Sequence, residues 1–258
     1  MATSDAILAI DPGSVHPVRL VRARTSARLN RLRTQVTRLS PKAASLTVEP
    51  LRGRMDSRRL SMIGLEELER CAIHSESALR APYQKYTQTI SSPVMALSLE
   101  LAGTLDALCA LLRPCHIADL GSGFSSYVLR RYAAGARADV VSVDADTKWL
   151  SRTRDFLQCE GLSPHELVEW SAFTNARYAA FDLVVDDLGH IQRRIDTIPR
   201  VLELLRPAGF IVFDDFHKPN VRTAILQACR AGGHRVFSLR RTTLDRFGRY
   251  ACLVRLSD

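Results

Sequence analysis

Leu97, Leu101, Leu105, Leu108 and Leu112 recur at three- and four-residue spacing, with Val94 before them and Arg113-Pro114 after them. That period is the apolar stripe of an amphipathic helix, and the proline ends it. Beyond Pro114 the pattern changes. Short apolar runs at 116–120, 139–143, 166–170, 181–185 and 209–213 read as buried parallel strands. Helical patterns at 125–134, 147–159, 191–205 and 220–231 separate them. This alternation is the signature of an α/β fold with βα units. Two last runs, 234–241 and 250–256, are joined by eight residues, too few for a crossover helix, so they are expected to pair antiparallel.

Upstream, residues 64–79 read as helical, followed by a loop through Ala81-Pro82 and a stop-and-cap signal at Ser91-Ser92-Pro93. The chain therefore divides into a basic, partly helical extension (1–60), a helical lid or linker (61–93) and an α/β domain (94–258). Tyr83–Tyr86 and Ser91–Pro93 either cover the site as a lid or form a surface loop.

Charge sharpens this division. The 258 residues carry a formal charge of +9, yet residues 1–60 alone hold 12 basic and four acidic side chains. The α/β body is therefore nearly neutral. No acid lies between Pro12 and Val48, and Leu29, Leu32, Val36 and Leu39 recur at helical spacing among arginines, suggesting a basic amphipathic helix ending near Ser40-Pro41. Such a helix packs on the body or a partner chain, lies on an anionic surface such as membrane or nucleic acid, or serves as a targeting peptide. Asp5 and Asp11 count against the last reading and against a secretory signal. No apolar run reaches membrane-spanning length. The 46% hydrophobic composition excludes a disordered or collagen-like chain. Six cysteines without a CxxC pair read as free thiols in a reducing cytoplasm, with no structural zinc.

The chemistry concentrates where the first strand ends, in Asp119-Leu120-Gly121-Ser122-Gly123, with a helix following at once. Glycines there let the backbone turn and approach a ligand, and the helix N-terminus favours negative charge. Asp144 closes the second strand at the distance from which a carboxylate reaches a ribose diol. Together these point to a nucleoside-containing cofactor. The dinucleotide fingerprint is incomplete, because Ser126 stands at its third glycine position.

These residues resemble the first motif and ribose-binding acid of the class I S-adenosylmethionine-dependent methyltransferases, over about residues 94–258. The resemblance implies a seven-stranded, mostly parallel Rossmann-like sheet with an antiparallel last strand and helices on both faces. Its cofactor would be S-adenosylmethionine. Gly121, Ser122 and Gly123 would lie at the methionine part, with Asp119 just before them. Asp144 and Ala145 would lie at the ribose, and Ser171 and Ala172 near the adenine. Asp186 is a further cofactor-binding candidate. Ser125 departs from the pattern, since many members carry a third glycine there.

Two loops follow the fourth and fifth strands: Asp186-Asp187-Leu188-Gly189-His190 and Asp214-Asp215-Phe216-His217-Lys218. A histidine suits deprotonation of an acceptor oxygen, and carboxylates orient it or bind a cation. The candidate catalytic residues are His190, Asp187, Asp215 and His217. The loops resemble those of catechol-type O-methyltransferases, whose metal-binding Asp residues match Asp187 and Asp215. That family's catalytic Lys falls on His190, and its Asn ligand falls on Phe216. His217 or Asp214 could replace the missing ligand for Mg²⁺ or Ca²⁺, but cofactor contact or helix capping is the preferred use of Asp186 and Asp214, and no metal ligand set is assigned. By the same resemblance, the Asp186–Gly189 loop lacks the motif of exocyclic amine methylation, and no cysteine stands where a cytosine C5 enzyme needs one. The reading is methyl transfer, O-directed, to a small-molecule acceptor by a cytoplasmic enzyme, with homo-oligomerisation through the N-terminal helices. Its alternatives are an RNA- or ribosome-associated methyltransferase gripping nucleic acid with the basic arm, and a non-catalytic partner subunit.

Overall fold

The helix that opens the body runs straight through the proline expected to break it. In the computed structural model, which describes Met55 and residues 58–257, α1 spans Leu68–Thr89 with Pro82 inside it. An interior proline costs about 3 kcal/mol. Leu79 and Tyr86 lie on either side of it at 0% and 1% exposure, and burying two such side chains returns roughly 1.5–3 kcal/mol each. Packing therefore overrides the break. The basic helix expected before Pro41 lies outside the described residues.

α2 (Leu99–Leu112) begins five residues later than its apolar period suggests. Ser98 is the cap, its Oγ accepting from Leu101 N at 3.1 Å, whereas Val94 and Met95 are exposed. Ser91-Ser92-Pro93 is thus not the helix start. A side chain that closes an orphan amide decides where the helix begins.

The βα units then follow: β1 (His116–Leu120), α3 (Phe124–Ala136), β2 (Asp139–Asp144), α4 (Thr147–Cys159), β3 (Leu167–Glu169), α5 (Trp170–Asn175), β4 (Phe181–Asp186), α6 (Ile191–Glu203), β5 (Leu205–Phe213) and α7 (Pro219–Ala231). β6 (Arg235–Ser238), α8 (Arg240–Thr243) and β7 (Cys252–Arg255) close the chain. β3 is shorter than its apolar run because Trp170 starts α5. β5 starts four residues earlier than expected, across a register irregularity against β4.

The seven strands are ordered β3-β2-β1-β4-β5-β7-β6. The pairings among β1 to β5 are parallel, and β7 pairs antiparallel with both β5 and β6. The terminal strands form the expected antiparallel pair, inserted so that β7 is the inner member. The sheet has a core on each face. One joins Ile117, Leu183, Val185, Val212 and Leu253 to α1, α2, α3 and α4. The other joins Ala118, Val184, Ile211, Phe213 and Val254 to α5, α6 and α7. Alternate strand residues enter opposite cores, as the two-residue period requires.

Residues 61–93 are built into the first core. Tyr86 lies 4.9 Å from the Phe156 ring and 5.4 Å from the Phe124 ring, so α1 packs directly on the helix that follows the glycine turn. A buried polar relay stiffens that turn from below. Asp119 is fully buried, and its Oδ2 accepts from Ser126 Oγ at 2.5 Å and Ser142 Oγ at 2.7 Å. Ser126 Oγ in turn accepts from Gly123 N at 3.1 Å. Arg130, also buried, donates to Ser142 Oγ and to the carbonyls of Ser163 and His165, pinning the loop before β3.

α1 and α2 approach closely at Gly103, where a Cβ would fall 2.6 Å from Glu76 Cγ and 2.8 Å from the Ala72 carbonyl oxygen. Gly103→Ala would gain about 0.5–1 kcal/mol of helix propensity, but backbone cannot yield as a side chain does, and overpacking costs roughly 1–3 kcal/mol. The expected outcome in urea unfolding is a net loss of stability of about 1–2 kcal/mol.

Candidate active site

The strand order reverses between β1 and β4, and a ligand crevice forms outside the carboxyl ends of strands at such a point. Three backbone bonds carry the sheet's ladder past its ends there. Gly121 N donates to Val143 O at 2.8 Å, Asp187 N to Leu120 O at 2.7 Å, and Asp214 N to Asp186 O at 3.1 Å. The loops after β1, β2, β4 and β5 are thereby fixed side by side.

Gly121 has φ +104°, and a Cβ there would lie 2.5 Å from the Asp187 carbonyl oxygen. Only glycine permits both the left-handed backbone and this approach. A Cβ at Gly123 would fall 3.0 Å from Tyr86 Oη and 3.7 Å from Trp149 Nε1. Trp149 Nε1 donates to the Ser122 carbonyl, so α4 closes over the turn. Asp144 at the end of β2 is 8% exposed. Its Oδ1 accepts from Asp146 N at 3.0 Å and its Oδ2 from Ser122 Oγ at 3.3 Å. Burial pushes its pKa up, while these bonds oppose the rise. Each oxygen keeps a further lone pair for a ligand hydroxyl.

Asp119 is enclosed beneath the turn and reaches it through Ser126, which bonds Gly123 N. Ala145 is half-buried beside Asp144, while Ser171 and Ala172 are exposed on α5. Asp186 is 1% exposed, with Leu188 N at 3.4 Å from its Oδ1. His190 is exposed and caps α6, its Nδ1 accepting from Arg193 N at 3.4 Å. His217 has a buried Nδ1 without a hydrogen-bond partner, 3.7 Å from Asp215 Oδ1. Tyr250 flanks its ring at 6.2 Å.

Asp187 and Asp215 are brought together by a residue the sequence did not single out. Arg194, in the first turn of α6, places Nη2 2.5 Å from Asp187 Oδ1 and Nη1 2.5 Å from Asp215 Oδ2. Burial works against its charge, but Asp187, Asp215, Asp214 and Asp186 together outweigh that and raise its pKa. Lys218 Nζ is 2.7 Å from the same Asp215 oxygen. A divalent cation does not fit these residues as they stand. The facing oxygens are taken by a guanidinium, and the third position is the buried, apolar Phe216. Among the described residues, no group of three or more His, Cys, Asp and Glu side chains is arranged to hold a metal.

Trp149 and Arg194 thus join the site from outside the motifs, while Tyr86 and Lys218 come from segments the sequence named without giving them a role. A signal for Arg194 was present: four acids at two strand ends require cations, and Arg193-Arg194 stand at a helix start, where the dipole disfavours positive charge.

Neither the protein-family models nor the curated proteins contain a match to this sequence. Solved structures do share its fold. An O-methyltransferase from Bacillus cereus in complex with SAH aligns with a TM-score of 0.54 at 16% identity, over 70% of this chain and 91% of its own. Cofactor-bound Rv0187 from MTB gives 0.54 at 20% identity, over 70% and 89%. The O-methyltransferase TomG of Streptomyces achromogenes, involved in tomaymycin synthesis and solved with SAM, gives 0.52 at 18%, over 70% and 89%. The chain has the Rossmann-like fold of the class I S-adenosylmethionine-dependent methyltransferases. No described helix is long and apolar enough to cross a membrane.

Burial raises the Asp186 carboxyl pKa from 3.8 to about 6, against the opposing Arg194 charge. The native state therefore binds this proton more tightly than the unfolded state does. The penalty for ionising Asp186 is absent below the unfolded pKa and complete above about pH 6, on the order of 3 kcal/mol. Asp186→Asn is expected to stabilise the protein at pH 7–8 by up to that amount, and the advantage should vanish below about pH 4. Melting curves of both proteins across this range check it.

Proposed function

We propose that this protein transfers a methyl group from S-adenosylmethionine to an oxygen of a small-molecule acceptor. One observation carries the reading: Asp144, at the end of β2, is tied through Ser122 to the glycine turn, so a carboxylate suited to a diol lies beside the turn that Tyr86 and Trp149 close. Solved proteins of the same fold, named O-methyltransferases, hold SAH or SAM.

The residues present fit that cofactor. A Cβ at Gly123 would fill the space before Tyr86 and Trp149. Asp144 supplies acceptors for two vicinal hydroxyls, and the backbone amides at the start of α3 supply donors for a carboxylate. Burial, with Asp119 and Asp144 nearby, raises the Tyr86 pKa and keeps the hydroxyl a neutral donor against the cradle. When bound, the cofactor supplies a sulfonium-activated methyl group that an in-line nucleophile accepts.

The chain must then hold the acceptor oxygen and take its proton. His217 is the better placed of the two histidines. His190 Nδ1 is occupied as a helix cap, whereas His217 Nδ1 faces the Asp215 carboxylate without another partner. A carboxylate on that side orients the ring with Nδ1 toward it, leaving Nε2 to receive the acceptor's proton. Asp187 and Asp215 remain with Arg194 and hold the two loops, and with them the ring, in place.

Two measurements test this. Asp144→Ala should weaken SAH binding in calorimetry by about 10–100-fold, the worth of charge-assisted bonds to a diol. His217→Ala should lower kcat by about 10²–10⁴ without changing SAH affinity. A wild-type protein that binds neither SAM nor SAH would end the reading.

A further inference from the structure

We propose that Arg194 is the resident cation of this site, its guanidinium seated between Asp187 and Asp215 where the catechol-type enzymes, which these loops resemble, hold a divalent ion. The chain would then work without a metal. The proposal rests on the methyl-transfer reading only for its activity measurement.

The geometry of the fork carries the argument. Nη2 and Nη1 each lie 2.5 Å from a different carboxylate, one on the β4 loop and one on the β5 loop. Nε and Nη2 also donate to the Gly189 carbonyl at 3.3 and 3.1 Å. The side chain is only 12% exposed, so this is an enclosed bridge rather than a surface pair. Planar bidentate geometry suits guanidinium to two carboxylates as it would not suit an ammonium.

The surroundings agree. Lys218 adds a second monocation on Asp215, so Arg194 and Lys218 together match the charge of one divalent ion. Phe216 offers no oxygen at the third ligand position. Gly189 (φ +60°) and Asp215 (φ +59°) both adopt left-handed backbone, turning each loop toward α6. An arginine in the first turn of a helix opposes the dipole, a cost that the two carboxylates offset here.

Mn²⁺ titration of the full chain, followed by the electron paramagnetic resonance of the free ion, tests the proposal without any turnover. The wild type should show no saturable uptake across the millimolar range. Arg194→Ala, and the volume-filling Arg194→Met, should each take up one Mn²⁺ per chain at least tenfold more tightly. Adding Asp215→Asn to Arg194→Ala should abolish that uptake. Equal Mn²⁺ binding by wild type and variants would overturn the proposal, as would folded variants that bind none. Failure of both variants to fold even with Mn²⁺ present would also overturn it, since the donors and not the charge would then hold the loops. Wild-type methyl transfer should be unchanged by EDTA. A wild type with no transfer at all would remove the functional reading, and the Mn²⁺ comparison would still decide the role of Arg194.

Discussion

The site depends on how closely Gly121 approaches the β4 loop. With φ at +104° and the Asp187 carbonyl oxygen where a Cβ would stand, the turn after β1 and the loop after β4 touch through backbone alone. The bonds Gly121 N–Val143 O and Asp187 N–Leu120 O extend that contact to β2. No side chain is needed to join these loops, so side chains are free to face the crevice. Asp144, the glycine turn and the acidic loops share one edge for this reason.

The same closeness creates an electrostatic problem. Asp186, Asp187, Asp214 and Asp215 crowd at two adjacent strand ends, all buried or nearly so. Burial and mutual repulsion lift the pKa of Asp186 and Asp214. The fold answers with Arg194 and Lys218 rather than with solvent. Asp119 meets the same difficulty one layer down, where Ser126, Ser142 and Arg130 stand in for water. In both, keeping a carboxyl buried costs stability while its partners tie loops together.

Much of this was legible along the chain. The helix at 147–159 and the strand at 116–120 match their sequence limits, because a helix or strand with one clear apolar face and a clear cap leaves little choice. Pro82 misled because propensity is local, whereas the burial of Leu79 and Tyr86 against α2, α3 and α4 is not. Ser98 rather than Ser91-Ser92-Pro93 caps α2 because its Oγ meets the open Leu101 amide. His190 and His217 looked equivalent as loop histidines. One spends its Nδ1 on a helix end and the other turns Nδ1 toward a carboxylate, a distinction that exists only in space.

Local pattern alone carried the order of the strands and of the four long helices between them, the antiparallel ending, the glycine turn and the position of Asp144, but not the short helices α5 and α8. These follow from periods of two and 3.6 residues and from backbone freedom at glycine, all short-range properties. The tertiary structure alone decided that α1 belongs to the core, that Asp119 reaches the turn through Ser126, and that Arg194 lies between Asp187 and Asp215. Those outcomes depend on which groups remain near one another once water is excluded. Charges that are interchangeable along a chain become specific partners there, because an unpaired buried charge costs more than the fold can bear.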